Sequence, residues 1–488
     1  MITLDELATF CKRKGFVYPS AEIYGGLAGF WDFGPLGVEL KKHLKDAWWN
    51  AHVYQRDDVV GIDGSLITHP KVWEASGHVA SFSDVYVRCL KCKKPNKLDK
   101  NEVEKALCPH CGGKYEVLGN LNLMFKTQVG PVGQGVTAYL RPETAQLIFA
   151  DFKLVQEHSR MQLPFGIAQL GKAFRNEISP REFIFRCREF ELMELEYFIA
   201  SGMKCPYLDE IADVEMDILS EELQKNNGKP KHMNLLNAFK KGIFKKDWHV
   251  YWLAKEYQWF VNLGAKPEHF RARQHTTDER SHYSSDTWDL EYAFPLGWRE
   301  LQGFADRSTY DLSQHQKHSG KSLEMHDSVL GKVLPEVVCE PALGVERAFL
   351  VFLLEAYEED KKRENVILHL HPRLAPVKAA IFPIVKDEKM ITLAKNLAMD
   401  LRTEWNVYYD ESGSVGRRYA RNDEIGTPLC ITVDEQTLKE KSVTLRDRDS
   451  TKQVRVPLKE VVEVVRKVIQ GENVLKLGKV VETRVKGE

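Results

Sequence analysis

Apolar residues recur at helical spacing over residues 38–49, with Pro35 just ahead of them, and predict a helix there. From 138 to 198, short strand-like and helix-like runs alternate. Two of these runs, 171–177 and 186–196, read as strands joined by a loop over 178–185 that contains Pro180 and Arg181. A strand alternates its side chains between two faces, so Arg175 and Glu177 share a face. By the same rule Arg186, Arg188, Phe190, Glu194 and Glu196 fall together, with Cys187, Met193, Leu195 and Tyr197 mainly opposite. The expectation is an antiparallel hairpin with arginines, an aromatic ring and carboxylates on one surface. A solvated sheet face striped with charge would show the same pattern. Residues 201–285, richer in Lys, His and Trp, read as a helical insertion with a basic run at 225–246. Strand pattern returns over 289–304 and 337–343. The second stretch leads into a helix at about 345–358 that is apolar nearly all round and therefore buried.

The charged stretch Glu359-Asp360-Lys361-Lys362-Arg363-Glu364 and the segment His371-Pro372-Arg373 mark a boundary near residue 370. The chain thus divides into a domain over 1–370 and another over 371–488. In the second, strands at 379–385, 407–409 and 429–433 alternate with helices at 390–404 and 415–424, which predicts a compact α/β domain with a largely parallel sheet.

Composition narrows the function classes. A chain of 488 residues exceeds what one core organises, and its 43% hydrophobic and 28% charged residues are those of a globular protein. The formal net charge of -1 supplies no global basic field, so any nucleic-acid binding rests on local patches. The N-terminus lacks a basic region followed by an apolar core, and no apolar run approaches the length of a membrane span. The expectation is a cytoplasmic protein without membrane contact. Cys89-x-x-Cys92 and Cys108-x-x-Cys111, separated by residues 93–107, match the spacing of a four-thiolate structural zinc site within a small insertion over 85–120. His110 is an alternative ligand, and a redox pair is the competing reading. The remaining five of nine cysteines are scattered, which suits a reducing compartment.

Three segments combine arginine with an acidic residue in otherwise apolar surroundings: Phe174-Arg175-Asn176-Glu177, Phe185-Arg186-Cys187-Arg188-Glu189-Phe190-Glu191-Leu192-Met193-Glu194, and Gly344-Val345-Glu346-Arg347. Burying isolated charges is costly, so their recurrence points to a highly charged ligand such as a nucleoside triphosphate with its metal ions. Arg347 falls in the first turn of the apolar helix, where backbone amides already favour an anion.

The first two segments resemble the second signature motif of class II aminoacyl-tRNA synthetases, and the last resembles the third. Phe30-Trp31-Asp32-Phe33-Gly34-Pro35-Leu36-Gly37 is similar to the first motif, which lies at the dimer interface of that class. Within the class, five segments are similar to the homodimeric glycyl-tRNA synthetase family. They are Tyr24-Gly25-Gly26; Arg141-Pro142-Glu143-Thr144-Ala145-Gln146; Arg175-Asn176-Glu177-Ile178-Ser179-Pro180-Arg181; His282-Tyr283-Ser284 with Thr287-Trp288-Asp289; and Gly297-Trp298-Arg299-Glu300-Leu301. The resemblance implies an α/β (α+β) protein with an antiparallel-sheet catalytic domain, a zinc-binding-like insertion and a C-terminal α/β anticodon-binding domain. It also implies a homodimer that joins glycine to tRNA(Gly) with ATP and Mg2+.

By the same resemblance, Arg175 would bind and stabilise the α-phosphate, Arg347 would hold the γ-phosphate, and Phe190 would stack on adenine. Asn176, Glu177, Phe185, Arg186, Cys187, Arg188, Glu189, Gly344, Val345 and Glu346 would complete the ATP site. Glu300 and Leu301 would add metal or ribose contacts. Glu143, Glu194 and Glu340 would hold the glycine ammonium, with Phe190, Glu191, Leu192, Met193, Pro341, Ala342, Leu343 and Gly344 around it. Ala342 stands where parts of the family carry serine, so only a backbone role transfers there. Lys97 replaces an arginine that much of the family places near substrate. Arg417, Arg418 and Arg421 would meet anticodon bases or phosphates. Two alternatives remain: a class II synthetase for another small amino acid, and a non-catalytic relative that binds nucleic acid. The latter tends to lose ATP-gripping arginines, whereas Arg175, Arg188 and Arg347 are present.

Overall fold

The computed structural model describes residues 2–481 apart from 99–104, 132, 179, 181, 280–285 and 328. Ser179, Arg181 and the His282-Tyr283-Ser284 segment therefore lie outside the described residues. A nine-stranded sheet organises the first part of the chain, in the order Lys231–Asn234, Glu215–Leu219, Phe270–Gln274, Thr287–Phe294, Gly297–Ala305, Glu336–Gly344, Glu189–Ile199, Phe165–Phe174 and Val59–Ile62. Only Glu215–Leu219 with Phe270–Gln274, and Phe165–Phe174 with Val59–Ile62, pair in parallel.

The expected hairpin is there, with Gln169 opposite Glu194 and Ala173 opposite Phe190. Its strands are shorter than the alternation suggested. The first stops at Phe174 and the second starts at Glu189, so Arg175, Glu177, Arg186 and Arg188 sit in the connection and do not alternate with strand faces. Two local features break the period. Glu177 N–H bonds Arg175 C=O at 2.5 Å, and the single turn Phe183–Phe185 buries all three of its residues in the core.

The helical insertion is also corrected. Residues 201–285 contribute the strands Glu215–Leu219, Lys231–Asn234 and Phe270–Gln274 to the main sheet. Its principal helix, Asp247–Asn262, buries Trp248, Tyr251, Trp252, Trp259 and Phe260 against that sheet. Aromatic richness marked a core helix, but short alternating runs such as Met216 and Ile218 were too brief to read as strands. The helix Val345–Ala356 is buried as expected. It ends earlier than anticipated because Tyr357–Asp360 turns back and pairs with Asn365–Leu368, so the charged run 359–364 forms the end of a hairpin.

The C-terminal sheet runs in the order Val407–Tyr409, Ala379–Pro383, Leu429–Val433, Ser442–Asp447, Gln453–Pro457, Lys479–Val481. Only the first three strands are parallel, and the last three are added antiparallel, which corrects the largely parallel expectation. Its valine-rich core, including Ile381, Val443, Val456 and Val465, is separate from the core that contains Leu370, Leu374 and Val377. Among the described residues no helix is long and apolar enough to cross a membrane.

Candidate active site

The central strands divide their side chains by function. Met193, Leu195, Tyr197 and Leu343 enter the main core. The opposite face carries Leu192, Glu194 and Glu196 from one strand and Glu340, Ala342 and Gly344 from its neighbour, with Gly303 across from Ala342. Over this face opens a cavity of about 330 Å³.

Fourteen of the residues singled out from sequence line it: Arg175, Glu177, Phe185, Arg186, Cys187, Phe190, Leu192, Glu194, Glu300, Leu301, Ala342, Gly344, Glu346 and Arg347. Arg175 donates from Nε to Pro142 C=O at 3.0 Å and lies 5.3 Å over the Phe190 ring. Arg347 donates to Glu300 C=O at 2.9 Å and lies 4.7 Å over the Phe185 ring. Arg175 lies as well 5.6 Å over Phe82, and Arg347 pairs with the Glu300 carboxylate at 3.4 Å, so carbonyls and aromatic faces orient both forks.

Other candidates lie elsewhere, and Glu346, though it lines the cavity, is tied to a cluster beside it. Glu191 turns to the helix Pro35–Trp49, meeting Lys41 at 2.9 Å and Lys45 at 2.7 Å. Glu346 joins the same buried cluster through Lys41 at 2.7 Å and accepts from Glu191 N–H. Glu189 pairs with Lys172 across the hairpin. Met193, Leu343 and Val345 are core residues, and Pro341 is buried within its strand. Asn176 donates its backbone N–H to Leu123 C=O at 2.7 Å. Arg188 donates to Glu177 C=O and Ala28 C=O, both at 2.9 Å, so it pins the loop, where an ATP contact was expected. The Lys97 side chain lies outside the described residues, and its backbone pairs with Tyr86.

Below the cavity lies a buried carboxylate cluster. Glu194 accepts from the Thr144 N–H at 2.8 Å and from its hydroxyl. Glu340 meets Arg307 at 2.8 Å. Glu143 meets His78 at 3.2 Å and Arg307 at 3.8 Å. Arg307, only 2% exposed, also bonds Asp311 at 2.8 and 3.2 Å. The environments push these acids apart. Burial resists ionisation of Glu143, yet His78, Arg307 and Arg175 hold it well below the usual carboxylate range. Burial and neighbouring Glu143 raise Glu194. Burial, with Glu194 and Glu143 against Arg307, pushes Glu340 up to about 8. Sequence reading missed Arg307, Asp311 and His78, and it placed Glu196 on the hairpin face without giving it a role. The charged Asp306-Arg307 pair between an apolar strand and a helix, with Asp311 four residues on, was the available signal.

In the small sheet formed by Ser83–Cys89, Pro95–Leu98 and Tyr115–Asn122, the two cysteine pairs converge. The Sγ atoms of Cys89, Cys92, Cys108 and Cys111 all lie within 4.8 Å of one another, with Cys89–Cys111 at 3.5 Å and Cys92–Cys108 at 3.6 Å. In the C-terminal domain, the helix Val415–Asp423 exposes Arg417 and Arg421 beside a 350 Å³ depression. Arg418 is 3% exposed and donates to Pro383 C=O at 2.6 Å, so this expected RNA contact is instead a buried strut.

Comparison with known proteins agrees with this geometry. Residues 378–468 match the model of the anticodon binding domain. A crystal structure of prolyl-tRNA synthetase from Cryptosporidium parvum, complexed with halofuginone and AMPPNP, superposes with a TM-score of 0.56 over 94% of this chain and 76% of that one. At 14% identity this similarity establishes the class II synthetase fold. The chain is 44% identical over 491 residues to the glycine–tRNA ligase of Bifidobacterium longum, covering 95% of this chain and 92% of the relative. It is 41% identical over 485 residues to that of Thermobifida fusca, covering 94% and 96%. Identity at that level over nearly the whole of both chains means that the chain belongs to the glycine–tRNA ligase family.

Proposed function

We propose that the protein activates glycine with ATP and transfers it to the 3′ end of tRNA(Gly). The observation that carries this reading is the cavity itself, which joins two oriented guanidinium groups to a small-residue floor ringed by buried carboxylates. Arg175 binds the α-phosphate and Arg347 the γ-phosphate, while Phe190 stacks on adenine. The ionised glycine carboxylate attacks the α-phosphorus, forming a C–O–P bond as the bond to pyrophosphate breaks. No general base is required, because that carboxyl is already deprotonated at neutral pH. Positioning and charge stabilisation then supply most of the rate. Glu300 would hold Mg2+, which when bound neutralises phosphate oxygens. The terminal ribose hydroxyl of tRNA next attacks the carbonyl carbon, and AMP leaves.

Glu194, Glu143 and Glu340 receive the ammonium, and Ala342 with Gly303 shapes the space beyond the α-carbon. Excluding an extra methyl by sterics requires no editing site here. Ala342→Val is expected to lower kcat/KM for glycine by about 10–200-fold, mainly through KM, with ATP KM little changed. Steady-state pyrophosphate exchange checks this, and an unchanged glycine KM would move the pocket elsewhere. Accumulation of glycyl-tRNA from labelled glycine tests the overall reading, and its absence would refute it.

The four cysteines suit structural Zn2+, since tetrahedral thiolates at about 2.3 Å from the metal lie about 3.8 Å apart. The insertion buries few apolar side chains of its own, so removing zinc is expected to unfold it locally. One zinc per chain by metal analysis is the expected outcome, with chelation increasing amide exchange over the Cys-bearing strands. Protein isolated without chelator but free of zinc would contradict the assignment. Arg417 and Arg421 serve the anticodon in this reading, within a domain that begins near residue 371. The outer edge of Val59–Ile62 ends the main sheet, and Tyr54, which precedes it in the chain, is exposed, which supports a homodimer formed there. A reducing cytoplasm suits the nine free thiols.

A further inference from the structure

The pocket holds more carboxylate than one ammonium requires. Glu196 lies two residues beyond Glu194 on the same strand face, beside Glu340 of the neighbouring strand. It is fully buried, and among the described residues neither of its oxygens meets a hydrogen-bond donor. Glu194 is satisfied by Thr144 and Glu340 by Arg307. The charged groups facing Glu196 are Glu194 on its own strand, Glu340 on the adjoining strand, and Arg307 with Asp311 at the start of the helix Tyr310–Ser319. On its other flank, Ile167 opposes it in the hairpin and carries no charge. Glu143 and His78 reach the group through Arg307, and Gln146 links Asp311 to His315.

Arg307 is already shared among Asp311, Glu340 and Glu143. A further anion with no donor, sealed from water, would carry the full desolvation cost of a buried charge. The neutral acid avoids that cost. Burial and Glu340 both drive Glu196 far above the ordinary carboxylate range.

We propose that Glu196 is a proton-carrying positioning residue of the amino acid pocket: it rests as a neutral acid behind Glu194 and Glu340, and docking of an ammonium before them expels one proton from the three carboxyls to solvent. This rests on reading the cavity as the glycine site. No bond between heavy atoms changes. The incoming ammonium brings one positive charge, the departing proton removes one, and the buried cluster keeps its net charge. The empty pocket is thereby spared an excess of negative charge, yet it presents a further carboxylate once a cation arrives. Because the proton is shared, it belongs to the cluster rather than to a single oxygen.

Calorimetric titration of the full chain with glycine, in buffers of contrasting ionisation heat near neutral pH, tests the proposal. Wild type is expected to release about one proton per glycine bound. Glu196→Gln replaces a neutral acid by a neutral amide of the same shape. It is expected to fold with an unchanged Tm, to bind glycine roughly 3–10-fold more weakly, and to release less than half as much proton. Difference infrared spectra should show a buried carboxylic acid band that glycine diminishes and Glu196→Gln removes. Glycine binding without proton release would overturn the proposal while leaving the pocket intact, as would proton release or an infrared band unchanged in Glu196→Gln. A large fall in Tm for that variant would also overturn it, because a neutral acid tolerates the amide. Absence of saturable glycine binding in wild type would remove the pocket reading itself.

Discussion

Arg347→Ala is expected to lower glycine-dependent pyrophosphate exchange by about three orders of magnitude while leaving the fold intact. Its guanidinium is held by a carbonyl bond to Glu300 at 2.9 Å, an ion pair with the half-exposed Glu300 carboxylate at 3.4 Å and the face of Phe185, and its side chain remains 26% exposed. Little core packing depends on it, so Tm should shift by no more than about 0.5 kcal/mol of stability would produce. Arg188 does not substitute for its charge, being committed to backbone carbonyls of the loop, which leaves Arg175 and Arg186 as the other arginines lining the cavity. Loss of an arginine that stabilises charge on a transferring phosphoryl group is worth several kcal/mol of barrier. Arg347→Lys should recover only part of the rate, because an ammonium cannot reproduce the planar fork. Exchange kinetics with thermal melts decide the matter. Near-normal exchange in the alanine variant would show that the phosphates lie elsewhere.

Arg307→Met should be the most damaging change for stability, by about 3–5 kcal/mol. The substitution removes the cation among Glu143, Glu340 and Asp311 while keeping an apolar stem of similar length. The loss should deepen as pH rises. A carboxyl with a higher pKa in the folded chain than in the unfolded one binds more protons when folded, so stability declines with pH between the two values. For Glu340 that window runs from its ordinary 4.5 to about 8 in the intact protein. Without Arg307 the upper limit moves higher, because the guanidinium is the group that lowers it. Urea unfolding at several pH values should therefore show the variant closest to wild type in acid and furthest from it above neutrality. A penalty independent of pH would place the effect in packing instead of charge.

Much of this architecture was legible in the chain because its signals are local. The Gly344-Val345-Glu346-Arg347 turn into an apolar helix, the hairpin through Glu194, and the cysteine pairs each depend on neighbours a few residues away. The errors arose where the third dimension intervened. Arg188 and Arg418 read as ligand-binding cations, yet both are consumed by carbonyl oxygens from distant segments. Glu191 read as part of the pocket, but the one-residue alternation of its strand sends it to Lys41 and Lys45 on the other face. Arg307 escaped notice because its partners, Glu143 and Glu340, come from segments well before and after it, and no spacing rule joins them. The strands Glu215–Leu219 and Lys231–Asn234 were hidden by their brevity within a basic, aromatic stretch.

Pyrophosphate exchange measured across a panel of amino acids tests the account most directly. Glycine alone should support rapid exchange, with alanine and serine slower by at least about two orders of magnitude in kcat/KM. Equal exchange with alanine, or none with glycine, would contradict a cavity in which oriented arginines meet a carboxylate-ringed space fitted to the smallest amino acid.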